Sequence, residues 1–324
     1  KSKITLTNSM FLSNKFDEHF IINKNQSKVY VKHCTFIMNI ARLVIEVTKL
    51  SYLFMLSSIV KNHEQCVINL YQQSQVYMEN VVCMENFEVV CTNEQSIVDI
   101  YNSQFYSCSQ RVIASYQSRI NTYNCLFIEN GANGFGGVIY AGDTVIFIHN
   151  SNFLNNSSPV QGGAIQTAPG INYHDAGLYI FHSVFSGNLA GISGGAIWAN
   201  ADMALYNTTF INNTAIKVGN SITSSTNKLF SPTLRIAVCF FLTPEMHHIH
   251  LDGGTYAKHL IQTFQSQFAT RNTNLWTNQT EFSSYSAFAI TKEHFNTFNQ
   301  IETVFASSKY EFFTTRFVLK NSVV

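Results

Sequence analysis

The chain has 324 residues and 36.6 kDa, with 46% hydrophobic residues, 12% charged residues and a net charge of +1. Twenty-seven Phe and fifteen Tyr in so weakly charged a chain exclude disorder, because such a chain collapses rather than staying solvated. The near-zero charge gives no basic field for nucleic acid, and no uncharged apolar stretch reaches the roughly eighteen residues of a membrane-crossing helix.

The chain opens at Lys1 with neither Met nor an apolar leader, which reads as a processed or trimmed product. A phrase then recurs along it. An aliphatic residue stands seven places before a Phe at Ile4/Phe11, Val29/Phe36, Val98/Phe105, Ile120/Phe127, Ile146/Phe153, Leu178/Phe185 and Met203/Phe210. Asn or His lies three places before each Phe (Asn150 before Phe153), and a small residue lies two places before. Asn usually follows three places after, as Asn156 does.

Residues 45–95 carry a degenerate form. There Ile45–Tyr52 keeps the aliphatic-to-aromatic spacing, and Ile68 to Val76 keeps it with one extra residue. From 98 to 223 the phrase is regular. Gly136-Gly137-Val138-Ile139, Gly162-Gly163-Ala164-Ile165 and Gly194-Gly195-Ala196-Ile197 each begin nine places after a Phe, with a degenerate Gly219-Asn220-Ser221-Ile222 as the fourth copy.

Apolar residues here alternate at two, not at the three and four of a helix. Ile146 and Ile148 share one strand face, yet Ser151 and Phe153 lie on the opposite parity. A one-residue shift turns every side chain over unless a corner intervenes. Asn150 supplies that corner, since Asn tolerates a left-handed backbone. Three short strands and three corners per 22–26 residues make one turn of a parallel β-helix. The fold class is therefore all-β: a right-handed parallel β-helix over 1–223, its hand taken from the crossover rule, with the recurring Phe inward and the Asn bonded along the stack.

The paired G-G-A-I and F-x-x-N phrases, as in Gly162–Ile165 and Phe153–Asn156, resemble the repeats of chlamydial polymorphic outer-membrane proteins. More broadly, they resemble the pectin-lyase-like right-handed β-helix superfamily. The resemblance implies a surface-exposed or secreted adhesin, stalk or coat protein, although some pectin-lyase-like members are polysaccharide lyases or hydrolases.

After Thr223 the G-G-A-I phrase stops. Spacings of seven persist at Ile261/Phe268, Leu275/Phe282 and Phe288/Phe295, only 13–14 residues apart. That suits antiparallel hairpins, so 224–324 is expected to form a β-rich cap or partner-binding region over the open end of the sheets.

Chemistry-bearing residues are sparse. With Ile inward, the strand after each Gly–Gly turns Tyr140, Gln166, Trp198 and Thr223 outward, and none is a glycosidase carboxylate. The nearest acids, Asp143, Asp175 and Asp202, lie in corners at unmatched places. Tyr140 and Trp198 are candidates for stacking on sugar rings. The insertion Pro169–Ala176 lengthens one turn and offers Asn172, Tyr173, His174 and Asp175 as a contact loop. His248, His250 and Asp252 would share a strand face but have no further ligand placed elsewhere, so they read as a solvated edge strand. No metal or cofactor is expected. Cys34 and Cys125 fill the inward slot that Ser takes in other copies and read as packing residues.

N-x-[ST] sequons begin at Asn25, Asn155, Asn156, Asn207, Asn212 and Asn278. Asn155 and Asn212 stand two places after a Phe, a polar slot that should face solvent and accept a glycan. Asn207 belongs to the corner ladder, whereas Asn25 and Asn278 lie outside the phrase and are open. The functional expectation is a non-enzymatic extracellular structural or adhesive protein, a protomer of a fibre, coat or appendage. Its partners would be other copies, structural glycoproteins or glycans. The alternative is a polysaccharide-processing or glycan-binding protein.

Overall fold

The computed structural model describes residues 2–12, 19–37, 43–168, 176–217 and 219–225. Beyond these it describes the segments 233–237, 239–241, 249–252, 260–264, 267–268, 275–277 and 283–285. Every described element is a β-strand, and every pairing is parallel.

One turn shows how the sequence makes the fold. Val145–His149 lies in the first sheet, Asn152–Leu154 in the second and Ile165–Ala168 in the third. Asn150 turns the chain between the first two at φ 47°, and Asn155 turns it again at φ 53°. Among the described residues the first sheet has twelve strands and the second and third eleven each. A fourth sheet of three two-residue strands, Ser157–Ser158, Leu189–Ala190 and Thr214–Ala215, occurs among the described residues in turns that carry the Gly–Gly phrase or its degenerate Gly219-Asn220 copy. Within that phrase Gly162 has φ +64°, and a Cβ on Gly163 would stand 2.0 Å from the Gly195 carbonyl oxygen of the next turn. The first glycine makes the corner, and the second lets stacked backbones touch.

The core is three files of in-register side chains. Phe105, Phe127, Phe153, Phe185 and Phe210 are fully buried in the second sheet, with ring centroids 4.5–5.2 Å apart. Phe36 is buried below them, and Phe11 packs partly against the core. From Val29 to Met203 the aliphatic residues of the phrase form the first-sheet file, and Ile113, Ile139, Ile165, Ile197 and Ile222 form the third. Beside that third file Val112, Val138, Ala164 and Ala196 are also buried. The carbonyl of Val138 accepts from both Val112 and Ile113, a bulge that turns two consecutive side chains inward.

Two expectations are corrected. In 45–95 the register is regular: Leu53 and Val76 join the aliphatic file, and Val60 and Cys83 take the Phe position seven places on. Ile45 and Ile68 belong to the third sheet instead. Past Thr223 the described strands continue the same three sheets in parallel, not as hairpins: in backbone register Leu234 and Ile261 follow Met203 in the first sheet, Phe241 and Phe268 follow Phe210 in the second, and Ile249 and Leu275 follow Ile222 in the third. Leu275 lies 14 residues after Ile261 because it sits on another side of the same turn. Phe282, Phe288 and Phe295 lie outside the described residues, as does most of 224–324, so the cap remains an expectation.

Candidate functional site

The third sheet places Tyr140, Gln166, Trp198 and Thr223 in one outward file, each opposite the next. That file is more covered than its sequence position implies. Gln166, Trp198 and Thr223 are 4, 8 and 1% exposed. Tyr140 is half-buried, with the Arg111 guanidinium 5.2 Å over its ring and Phe135 stacked at 6.1 Å. Trp198 is thus not an open stacking platform, which corrects the expected exposure: covering a large apolar ring is more stable than leaving it wet. Asn172, Tyr173, His174 and Asp175 lie outside the described residues.

The strand Ile249–Asp252 pairs on both sides, with Ile222–Ser225 and Leu275–Thr277, so it is interior and not the expected edge strand. His248 lies outside the described residues. Cys34 and Cys125 are buried and unpaired, as packing residues should be. Cys66 and Cys91 form a disulfide between adjacent turns, beside Glu88, which pairs with Arg111 at 3.2 Å. Burial pushes the Glu88 carboxyl up, and Arg111 opposes it.

Of the sequon residues, Asn25, Asn155, Asn207 and Asn212 are exposed, Asn156 is fully buried, and Asn278 lies outside the described residues. Asn207 nevertheless bonds to the turn before it, its Nδ2 lying 2.8 Å from His182 Nδ1.

The outer face of the first sheet carries aromatic files. Tyr101, Tyr123, His149 and Phe181 stack at 4.6, 5.6 and 4.6 Å. Burial, and then His182 nearby, lowers the His149 imidazole to about 3. Asp99 interrupts the neighbouring file and accepts from Asn121 Nδ2 at 2.5 Å. Burial raises its carboxyl, while Asn121 and Arg119 oppose the rise.

A further concavity lies elsewhere among the described residues, at the corner joining the third sheet to the first. It is a groove of about 720 Å³ running along four successive corners to Gln117. Each of the four holds two consecutive left-handed residues: Asn25–Gln26, Lys49–Leu50, Gln72–Gln73 and Glu94–Gln95, at φ 55–61°. Such a backbone costs about 1–3 kcal/mol per non-glycine residue. Beneath them Ser51, Ser74 and Ser96 are fully buried, and the Ser51 N–H donates to Ser74 Oγ at 3.3 Å. The sequence signal for this corner is a Ser two places before the aliphatic residue in the turns from Val29 to Ile120, preceded by Gln in Gln26-Ser27, Gln73-Ser74, Gln95-Ser96 and Gln117-Ser118. Reading by Phe passes over it.

Comparison with known families adds one finding. Residues 146–168 and 182–200 match the Chlamydia polymorphic membrane protein (Chlamydia_PMP) repeat. The polymorphic membrane protein match and the parallel β-helix agree with each other and with the G-G-A-I and F-x-x-N phrases. Such repeats suggest a surface or adhesin-like β-helix. Among curated proteins, none matches the chain. No helix among the described residues is long and apolar enough to cross a membrane.

Proposed function

We propose that this is a non-enzymatic, extracellular β-helix of adhesive or structural kind, a protomer of a fibre, coat or surface appendage. Its partners are further copies, structural glycoproteins or glycans. The observation that carries this reading is the polymorphic membrane protein repeat on a parallel β-helix. It is supported by the use of the recurring residues: Phe fills the core, Asn the corners, and Gly the close backbone contacts. The outward file Tyr140, Gln166, Trp198 and Thr223 offers no pair of carboxylates for glycoside hydrolysis. Glycans are expected on Asn155 and Asn212, with Asn278 a further acceptor.

Beads coated with the full chain should adhere to cultured cells where albumin-coated beads do not. Incubation with a panel of neutral and acidic polysaccharides should release no reducing or unsaturated ends. Release of such ends would replace this reading with that of a polysaccharide-processing enzyme.

A further inference from the structure

We infer that the groove between the third and first sheets binds an extended, uncharged, hydroxyl-rich glycan lying along the helix axis. The inference deepens the adhesive reading, by naming a ligand class and a site, and rests on it for its biological role.

The groove's size falls within the range of ligand sites, which runs from about 300 to 1,000 Å³. Its chemistry narrows the ligand. Six amides line it, those of Asn25, Gln26, Gln72, Gln73, Gln95 and Gln117. An amide both donates and accepts hydrogen bonds, as a hydroxyl does. Lys49 and Glu94 are its only charged residues and cancel, so the groove gives no field for an acidic polysaccharide or a polycation. No aromatic side chain lines it, and Leu50 is its one apolar residue, which disfavours an apolar peptide or a lipid.

The backbone points the same way. Glycine would adopt φ near +60° freely, yet these four corners hold long side chains in that strained conformation. Neighbouring turns repeat at about 4.8 Å, and every corner of the groove but Lys49–Leu50 carries an amide, like subsites for a repeating polymer. Gln73 Nε2 already donates to Gln95 Oε1 at 3.0 Å, which sets two of them in line. Both are exposed, so they can reach a ligand as well as each other.

The test uses the full chain and calorimetric titration with cellohexaose, xylohexaose, mannohexaose and, as the acidic counterpart, hexagalacturonate. At least one neutral hexasaccharide should bind, more tightly than its own disaccharide. Its affinity should change less than threefold between low and high salt, because no net charge is engaged. Gln73→Ala with Gln95→Ala should weaken it about tenfold or more, as the loss of two hydrogen-bonding amides implies. Asn124→Ala, which removes an exposed amide from a different corner, should leave affinity unchanged. Circular dichroism would establish that both variants are folded.

Absence of saturable binding by all three neutral oligosaccharides would overturn the inference, as would affinity indifferent to the double variant. Preferential, salt-sensitive binding of hexagalacturonate would overturn it too. Concentration-dependent self-association lost in the double variant would assign the groove to a second copy of the chain instead. Bead adhesion separates the two claims. Adhesion that survives in the double variant, without oligosaccharide binding by the wild type, removes the groove assignment alone. Oligosaccharide binding without adhesion removes the adhesive reading alone.

Discussion

Asn156 shows what a single side chain holds together. Its Oδ1 accepts from the backbone N–H and Nδ2 of Asn130, and its Nδ2 donates to the Phe127 carbonyl and to Asn188 Oδ1. Asn188 repeats the pattern toward Asn213 and Phe153. The Asn130, Asn156 and Asn188 N–H groups at these corners donate to the Oδ1 of the next turn's Asn, so the amide satisfies a backbone donor in a fully buried place. Asn156→Ala would strand the buried Asn130 N–H and should cost about 1–3 kcal/mol. The adjacent Asn155→Ala should cost about 1 kcal/mol or less, since Asn155 is exposed and loses mainly its tolerance of a left-handed backbone. Phe153→Ala empties the middle of the ring stack and should cost about 3–5 kcal/mol. Tyr140→Ala removes only a half-exposed ring under Arg111 and should cost about 1 kcal/mol or less. Urea midpoints for the four variants would check all these values. A loss at Asn155 equal to that at Asn156 would mean that the ladder has been placed one residue out.

The strand and its corner are the level at which sequence reading works best here, because each turn is written with the same code. The Phe file and the left-handed Asn corners are legible, since each needs a residue type that few others can replace. The turns at Val60 and Cys83 were not, because the interior accepts any apolar side chain at the Phe position. The Ser and Gln corner is hard to read from sequence for a related reason: two of its copies, Gln73-Ser74 and Leu50-Ser51, open turns that lack the aromatic marker. The strands after Thr223 misled through spacing, because two sides of one turn can each repeat the interval of seven. An outward file's burial, as at Trp198, depends on its neighbours and is not written in alternation at all. Protonation is likewise a property of the stacked file. His149, between Tyr123 and Phe181, is neutral in the fold down to about pH 3, whereas an unfolded histidine takes its proton near 6.5. The unfolded state therefore binds more protons over that interval, and stability from this group, fully present above about pH 6.5, should fall as pH drops toward 3. Asp99 and Glu88, raised by burial, act in the opposite sense, so the informative quantity is the difference between wild type and His149→Gln. That variant should lose less stability than wild type between pH 7.5 and 4.5 in urea titration. Parallel curves would show the imidazole to be solvated.

At the scale of the whole molecule, stability comes from stacked turns that each touch only their neighbours, so features that report on the environment sit outside the regular code. The Cys66–Cys91 disulfide closes a separation of 25 residues between adjacent turns. In the chain-entropy account a loop of that size is worth about 3–4 kcal/mol. Such bonds persist in oxidising compartments, which is the setting an extracellular protein requires. The sequons make an independent statement about the same compartment, and the fold ranks them. Asn155 and Asn212 are exposed at the second corner, where a glycan meets solvent. Asn156 is fully buried, and its amide nitrogen already donates twice. Asn207 is exposed but engaged with His182 Nδ1. Protein from its native source, analysed as intact glycopeptides, should therefore carry glycans on Asn155 and Asn212 and none on Asn156 or Asn207. The same preparation, digested without reductant, should yield a peptide pair joined through Cys66 and Cys91. Free thiols at both cysteines together with bare asparagines would place the protein in a reducing compartment and remove the extracellular assignment. A glycan on Asn156 would contradict the buried ladder, because that nitrogen cannot carry a sugar and also bond to Phe127 and Asn188.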